Sequence, residues 1–173
     1  KSDSVYDTQR WENARQALYD YPFVGQIGDT IRYSDIGIML LGEAVVRLHG
    51  SRLDTAVYER ICQPLRLDSV TYNPVLNGVP LEQIVPTEID TFWRNRRIWG
   101  EVHDENACGI GGIAGHAGLF ATAHNVAQFG QAWLSGDEHL KLSDAIKQQA
   151  IQEHASGDSR RGLGWMLKTQ KDS

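Results

Sequence analysis

The sequence predicts a mainly α-helical fold with a few strand residues, and two observations carry this prediction. Apolar residues recur at helical spacing along most of the chain, often behind a residue that can cap a helix. Alternation typical of a strand is confined to 162–168, which we expect to enter a sheet whose other strands lie outside this sequence. Because 173 residues with 41% hydrophobic content suit one core, we expect one partial domain over 1–173.

Two helical patterns open the chain. Apolar residues recur near helical spacing over 7–19 among charged neighbours, which predicts an amphipathic helix. A second helix is predicted to begin at Ser34 or Asp35, either of which can cap it, and to stop at Gly50. Its apolar run is shorter than the roughly 20 residues that a membrane-spanning helix needs, so we expect a buried core helix.

The middle of the chain is predicted to be less regular. A third helix is expected over 53–62, with Pro64 ending it. Residues 69–97 mix β-branched residues with turn signals, which indicates irregular structure with one short hairpin. The five glycines of 108–118 predict a loop in which backbones pack closely. The same stretch spells G-x-G-x-x-A over 109–114, but no convincing strand precedes it, so dinucleotide binding is not expected.

Two further helices are predicted towards the carboxyl end. Thr122 caps the first, which ends near Gly136. Ser143 or Asp144 starts the second, which runs to about His154. The apolar residues of the first helix form one face, on which we expect Trp133 to lie in the core; they are Val126, Ala127, Phe129, Trp133 and Leu134.

Charge and cysteine content exclude several classes of protein. The 17 Lys plus Arg and 22 Asp plus Glu give a net charge of -5 without a basic stripe, so nucleic acid is not an expected partner. Cys62 and Cys108 fit neither a zinc spacing nor a redox pair, so we expect buried free thiols, with one disulfide as the alternative. The chain opens on Lys1 without a Met and closes on Ser173 within a polar stretch, so we expect truncation at both ends.

The sharpest chemical feature is the tripeptide Tyr33-Ser34-Asp35, directly before the mostly apolar second helix. A phenol at a helix N-terminus faces unpaired backbone N–H groups and the positive end of the helix dipole, and both favour phenolate. We therefore predict that Tyr33 acts as a general base or proton relay. The alternative is that Ser34 or Asp35 caps the helix while Tyr33 packs against the core.

Six segments carry a family resemblance. The first half contains YSDIGIMLLGE (33–43), LHG (48–50) and ICQPLRL (61–67), and the second half contains GEVHDENA (100–107), GHAGLFATA (115–123) and GLGW (162–165). In this order they resemble the surroundings of the second motif, and the stretch after it, in one branch of the serine β-lactamase-like, penicillin-binding-protein-like hydrolases. That family includes class C β-lactamases, carboxylesterases and DD-peptidases, and the resemblance covers about 21–168.

The resemblance implies a mainly α fragment, the helical lobe, of the α/β β-lactamase/transpeptidase-like fold. In that family the serine of a Ser-x-x-Lys motif attacks a carbonyl, and the tyrosine of the second motif, here Tyr33, shares the proton transfer. The sequence contains no Ser-x-x-Lys, so the nucleophile is expected before Lys1. The third motif, Lys-Thr-Gly or His-Thr-Gly, is expected after Ser173, which leaves His116 as a hydrogen-bonded loop histidine.

The resemblance also identifies candidates for substrate binding. The second motif usually ends in Asn, but here Asp35 occupies that place, and an ionised carboxylate only accepts hydrogen bonds. This favours a substrate that presents a donor, or a structural cap, over β-lactam turnover. The spacing of histidines and acids matches no H-E-x-x-H pattern, so neither a metal nor another cofactor is expected. The loop residues expected to wall the cleft, or alternatively to form a loop network, are His103, Asp104, Glu105 and Asn106.

These implications lead to a prediction for the parent protein. We expect a serine hydrolase that acts through an acyl-enzyme on an ester, an amide or a peptidoglycan-derived substrate. Its partners would be that substrate and the rest of its own domain, with no nucleic acid and no membrane span in this segment, and the chain alone would be inactive. The alternative is a non-catalytic binding or regulatory module derived from the same fold. The family resemblance favours a periplasmic or extracellular location, with the cytoplasm as the alternative.

Overall fold

A computed structural model describes residues 8–22, 25–26, 28, 31–155 and 160–168. Its contacts divide the chain into two compact units, Lys1–Tyr21 with Ser34–Gly130, and Pro22–Tyr33 with Gln131–Ser173. The predicted predominance of helix is confirmed. The elements in chain order are α1 (Thr8–Asp20), α2 (Asp35–His49), α3 (Leu53–Val57), a π-helix (Tyr58–Cys62), α4 (Gln63–Leu65), β1 (Thr71–Tyr72), a 3-10 helix (Leu81–Gln83), β2 (Ile89–Asp90), β3 (Arg96–Arg97), α5 (Glu105–Gly109), β4 (Leu119–Phe120), α6 (Ala123–Ser135), a 3-10 helix (Glu138–Leu140) and α7 (Asp144–Ile151).

The predicted second helix forms as α2, with both of its caps. The Ser34 hydroxyl accepts a hydrogen bond from the Gly37 N–H at 3.1 Å, which satisfies one unpaired donor of the first turn. Gly50 ends the helix in the left-handed conformation with a φ of 74°, which glycine adopts without steric cost. Among the described residues, no helix is long and apolar enough to cross a membrane.

The expectation of a buried core helix holds for one face of α2 only. Met39 lies on the covered face, next to Leu18 of α1, whereas Leu41 and Leu48 are 60% and 89% exposed. The core contacts that the described residues supply to α2 come from α1, from α3 and from the segment around α5. The buried residues of this core cluster are Leu18, Met39, Val102, Ala107, Ile110 and Ala114.

A buried carboxylate ties α1 to α2. Glu43 on α2 is 3% exposed, and its Oε1 accepts hydrogen bonds from Arg47 Nε at 2.8 Å and from the Tyr19 hydroxyl at 3.1 Å. Arg15 of α1 lies 3.7 Å from the same oxygen. A buried carboxylate is tolerated when cations and donors surround it, so Glu43 fixes the register of α1 on α2.

The predicted third helix forms, but it is longer and less regular than expected. Its middle turn is a π-helix, and Pro64 does not end it, because helical structure continues to Leu65. Proline is tolerated in the first turn of a helical segment, where its missing N–H is not required, and here it occupies that position in α4. The helix ends at Arg66, which adopts the left-handed conformation with a φ of 54°. Cys62 is buried with a free thiol, as predicted, and Cys108 is free and half-buried.

The irregular middle segment contains the predicted short hairpin, formed by β2 and β3. Its turn is built around the Asp90 carboxylate, which accepts three backbone hydrogen bonds of 2.9 Å each. The donors are the N–H groups of Phe92, Trp93 and Arg94, and Arg94 Nε also lies 3.2 Å from this carboxylate. The hydrogen bonds of Trp93, Arg94 and Phe92 hold the pKa of Asp90 well below its usual range, although burial of the carboxyl opposes them.

The glycine stretch packs closely against other backbone, as predicted. A Cβ on Gly115 would lie 2.4 Å from the carbonyl oxygen of Ile38 and 3.1 Å from the Cα of Gly42, both on α2. Gly118 has a φ of 113°, and a Cβ there would lie 2.2 Å from the carbonyl oxygen of Gly112. The stretch therefore presses on α2 and then leads into β4, which pairs antiparallel with β1.

The carboxyl-terminal predictions hold only in part. Thr122 accepts a hydrogen bond from the Asn125 N–H at the start of α6, as expected, and Ser143 caps α7, which ends at Ile151 rather than near His154. Along α6 the predicted apolar face is not buried as a whole, since its residues Val126 and Leu134 are 60% and 83% exposed.

The strand predicted over 162–168 was wrong. The chain forms a tight turn there, in which the Gly162 N–H donates to the Trp165 carbonyl at 2.8 Å and Gly164 has a φ of 78°. Isolated bridges pair Arg161 with Ala155 and with Met166. A strand needs a hydrogen-bonded neighbour along its length, and the described residues supply only these single bridges.

The Gly115 contact predicts that alanine substitutions at two different glycines have opposite effects on the stability of the protein. Gly115→Ala places a methyl group against the fixed backbone of α2, so we expect it to destabilise the protein by about 2–3 kcal/mol. Gly130→Ala is the matched control, because that glycine lies inside α6 with nothing within 4 Å of the position that its methyl group would take, and alanine there should stabilise by about 0.5–1 kcal/mol. Urea unfolding measures both, and equal effects of the two substitutions would contradict the contact.

The Asp90 turn predicts a specific pH dependence of stability. Because the folded-state pKa of Asp90 is depressed, its stabilisation is present above the unfolded-state pKa of about 3.9 and is lost as pH falls towards the folded value. The free energy of unfolding, measured in urea from pH 6 to pH 3, should therefore fall less steeply in Asp90→Asn than in wild type. Thr91→Ala changes the same turn without removing a charge and should keep the wild-type slope. Parallel curves for Asp90→Asn and wild type would overturn the interpretation.

Candidate active site

Tyr33 is held at the surface by its place in the chain. It directly precedes Ser34, the N-cap of α2, and its side chain is 84% exposed. The alternative in which Tyr33 packs into the core is therefore wrong, whereas the other half of that alternative is correct, since Ser34 does cap the helix.

Asp35 is the first residue of α2, where a carboxylate is favoured by the helix dipole. Its Oδ2 accepts a long hydrogen bond of 3.4 Å from the side-chain amide of Asn106, which lies in the first turn of α5. The two residues are 71 positions apart in the chain, so this contact joins the start of α2 to the start of α5.

Asp104 and His116 form the better-defined part of the site. Asp104 is the N-cap of α5, and its Oδ1 accepts hydrogen bonds from the Ala107 N–H at 2.7 Å and from His116 Nε2 at 2.9 Å. Burial of the Asp104 carboxyl works to raise its pKa, but the hydrogen bonds of Ala107 and His116 outweigh this and lower the pKa. The prediction that His116 is a hydrogen-bonded loop histidine is confirmed.

His103 and Glu105 take separate positions. His103 Nε2 lies 3.3 Å from the Glu88 carboxylate, and its backbone carbonyl accepts a hydrogen bond from the Arg94 guanidinium. Glu105 is exposed in the first turn of α5. Of the loop residues singled out from the sequence, the structure thus brings Asp104 and Asn106 close to Asp35. His103 instead contacts Arg94 in the turn of the hairpin and Glu88 just before it.

The group Asp35, Asp104 and His116 also has the composition of a metal site. One potential ligand atom from each of the three residues lies within 4.8 Å of the others. A metal-bound histidine normally donates its second ring N–H to an acceptor, but His116 Nδ1 is buried without a hydrogen-bond partner among the described residues. The group therefore fits a hydrogen-bonded network better than it fits a metal.

A groove of the first unit lies elsewhere. It has a volume of about 910 Å³, and its lining includes Tyr58, Tyr72, Ile84 and Phe120 but none of the residues predicted for the site. We therefore choose the start of α2 as the candidate site because of the polar residues that meet there, and not because it forms a groove.

Sequence reasoning missed two contributors to the site. His116 and Asp104 are 12 positions apart in the chain with α5 between them, and the only available signal was that both residues occur in segments of the family resemblance. Arg94 holds the carbonyl oxygens of Val102 and His103, and it carried no motif at all.

Comparison with known proteins places this geometry in context. The profile of the family described as Beta-lactamase matches residues 2–173. A protein of Escherichia coli (strain K12) named "Putative D-alanyl-D-alanine carboxypeptidase" is 35% identical over 159 residues, in an alignment that covers 84% of this chain and 37% of that protein. The chain thus spans little more than a third of the length of such curated relatives.

Two solved structures illustrate the similarity of fold. The penicillin binding protein from Bacillus halodurans has a TM-score of 0.70 and 18% identity, with 98% of this chain and 49% of that chain covered. The D-amino acid amidase from Ochrobactrum anthropi SV3 has a TM-score of 0.62 and 14% identity, with 95% and 47% covered. At these identities the similarity shows a shared fold, and the prediction of a β-lactamase/transpeptidase-like fold is confirmed.

Proposed function

The chain belongs to the beta-lactamase family, and from this premise we propose that it is the helical lobe of a serine hydrolase with acyl-enzyme chemistry. The observation that carries the proposal is Tyr33, an exposed phenol directly before the N-cap of α2. A tyrosine at this point combines access to a reacting group with a place beside a helix terminus.

In the proposed reaction Tyr33 is a general base or proton relay. A serine from a part of the protein outside these 173 residues attacks the substrate carbonyl, and Tyr33 takes part in moving the serine proton towards the leaving group. Water then hydrolyses the acyl-enzyme in the second half of the reaction. The absence of any Ser-x-x-Lys in the sequence is the reason that the nucleophile is assigned elsewhere.

The substrate that we propose is an amide or a peptidoglycan-derived peptide. The names of the relatives support this class, since they refer to D-alanyl-D-alanine carboxypeptidase and to D-amino acid amidase. Asp35 supports a substrate that presents an N–H donor, because an ionised carboxylate accepts and does not donate. For the same reason we do not expect efficient turnover of β-lactams.

The experiment that tests this function uses the full-length protein that contains the chain. It should be covalently labelled by a fluorescent penicillin or a fluorophosphonate, and it should release D-alanine from a peptide ending in D-Ala-D-Ala or cleave a D-amino acid amide. Silence towards every one of these probes and substrates would favour the alternative, a non-catalytic binding module. The 173 residues alone should be inactive, so hydrolysis by them in isolation would contradict the assignment of the nucleophile.

Replacing the phenolic oxygen of Tyr33 should slow the chemical step and leave substrate binding nearly unchanged. In the full-length protein, Tyr33→Phe removes only the phenolic oxygen, so we expect kcat to fall by about 10²–10⁴-fold with little change in KM. Tyr21→Phe is the control, because that ring is also exposed but directly follows α1 and does not precede α2. Hydrolysis of the D-amino acid amide or peptide measures both variants. Wild-type kcat in Tyr33→Phe would exclude a role in proton transfer.

A further inference from the structure

The Asp104–His116 pair is placed to hold structure rather than to face a ligand. The His116 side chain is 6% exposed and that of Asp104 is 32% exposed. One oxygen of Asp104 already accepts two hydrogen bonds, from His116 and from the Ala107 backbone. This oxygen of Asp104 is committed within the protein, and the substrate contact that the sequence suggested for Asp104 stays a prediction.

The pair fixes where α5 begins, and this reaches α2 through Asn106. The N-cap bond from Ala107 to Asp104 sets the first turn of α5, which contains Asn106. The Asn106 amide then donates to Asp35 in the first turn of α2. A chain of three hydrogen bonds therefore runs from His116 to the start of α2.

A second connection supports the first. Gly115 precedes His116 in the chain, and its backbone lies against the carbonyl oxygen of Ile38, in the first turn of α2. The histidine is thus anchored to α2 on its backbone side and linked to α2 by hydrogen bonds on its side-chain side. Two independent contacts with one helical turn restrain that turn more than either contact alone.

We propose that His116 and Asp104 are positioning residues, which hold the start of α2, through Asn106 and Asp35, in the conformation that presents the residue before its N-cap. That residue is Tyr33, so the catalytic consequence of this inference rests on the proposed function. The structural consequence, a fixed start of α2, is independent of the proposed function.

The state of the imidazole follows from its surroundings. His116 Nε2 faces the Asp104 carboxylate, whereas Nδ1 is buried and has no acceptor among the described residues. A hydrogen on Nδ1 would be left without a partner, and burying an unpaired donor is unfavourable. We therefore assign His116 as an Nε2–H donor to the Asp104 carboxylate.

This role predicts rescue by a donor that does not titrate. Glutamine can place its Nε2 where the histidine Nε2 lies, so His116→Gln should keep the bond to Asp104. His116→Ala removes that bond, and Asn106→Ala breaks the same chain of hydrogen bonds further along. A histidine that served as a general acid or as a metal ligand would not be replaced by glutamine.

The first measurement is amide hydrogen exchange by NMR or mass spectrometry on the full-length protein. Protection of the backbone amides of 37–41 should fall by about 10-fold in His116→Ala and in Asn106→Ala, and it should remain near the wild-type value in His116→Gln. Amides of α3, outside the chain of hydrogen bonds, serve as the internal control. Unchanged protection of 37–41 in His116→Ala would overturn the inference, whatever the protein's activity.

The second measurement is the rate constant of covalent labelling by a fluorescent penicillin at saturating probe. His116→Ala should lower this rate constant by about 10–100-fold, and His116→Gln should restore it to within about 3-fold of wild type. A merely structural role would lower the labelled fraction and leave the rate constant of the folded fraction unchanged, which would contradict the proposed link to Tyr33. A wild-type protein that is never labelled would count against the proposed function, and hydrogen exchange would still decide the inference about positioning.

Discussion

The candidate site depends on one close approach between backbones, that of Gly115 to α2. No side chain can stand at this point, because a single methyl group would lie 2.4 Å from the carbonyl oxygen of Ile38. Gly42 contributes from the other side, since a Cβ there would lie 3.1 Å from the Cα of Gly115. The approach places His116, the next residue, beside the first turns of α2, and from there it reaches Asp104. The polar residues of the site meet because two glycines let the chain come this close.

Three carboxylates hold the helices and loops around this contact through hydrogen bonds. Glu43 joins two helices, Asp90 closes the turn of a hairpin, and Asp104 begins a short helix; each accepts hydrogen bonds from several donors. Arg94 links the hairpin to the loop before α5, because its guanidinium donates to the carbonyl oxygens of Val102 and His103. Loops held by several hydrogen bonds suit a site in which groups from several segments must be kept in a fixed relation.

Local signals allowed much of the fold to be predicted from the sequence. Ser34, Gly50 and Ser143 mark helix boundaries through their own backbone and side-chain chemistry, so the start and end of α2 and the start of α7 were predicted correctly. Features that depend on distant neighbours were not predictable in this way. Three features depend on which surfaces the rest of the protein covers, and residue spacing does not show which surfaces those are. They are the exposed face of α2, the π-helical turn and the turn in place of a strand at 162–168.

The same distinction applies to the site. The importance of Tyr33-Ser34-Asp35 followed from its position before an apolar helix, whereas the bonds of Asp35 to Asn106 and of Asp104 to His116 required the folded chain. The most direct test is a crystal structure of the full-length protein carrying a covalently bound penicillin or substrate-like boronate. Our account predicts that the Tyr33 Oη lies about 2.6–3.2 Å from the acylated serine or from the leaving-group position. An adduct whose reacting atoms lie far from Tyr33, with the ring turned away from them, would contradict it.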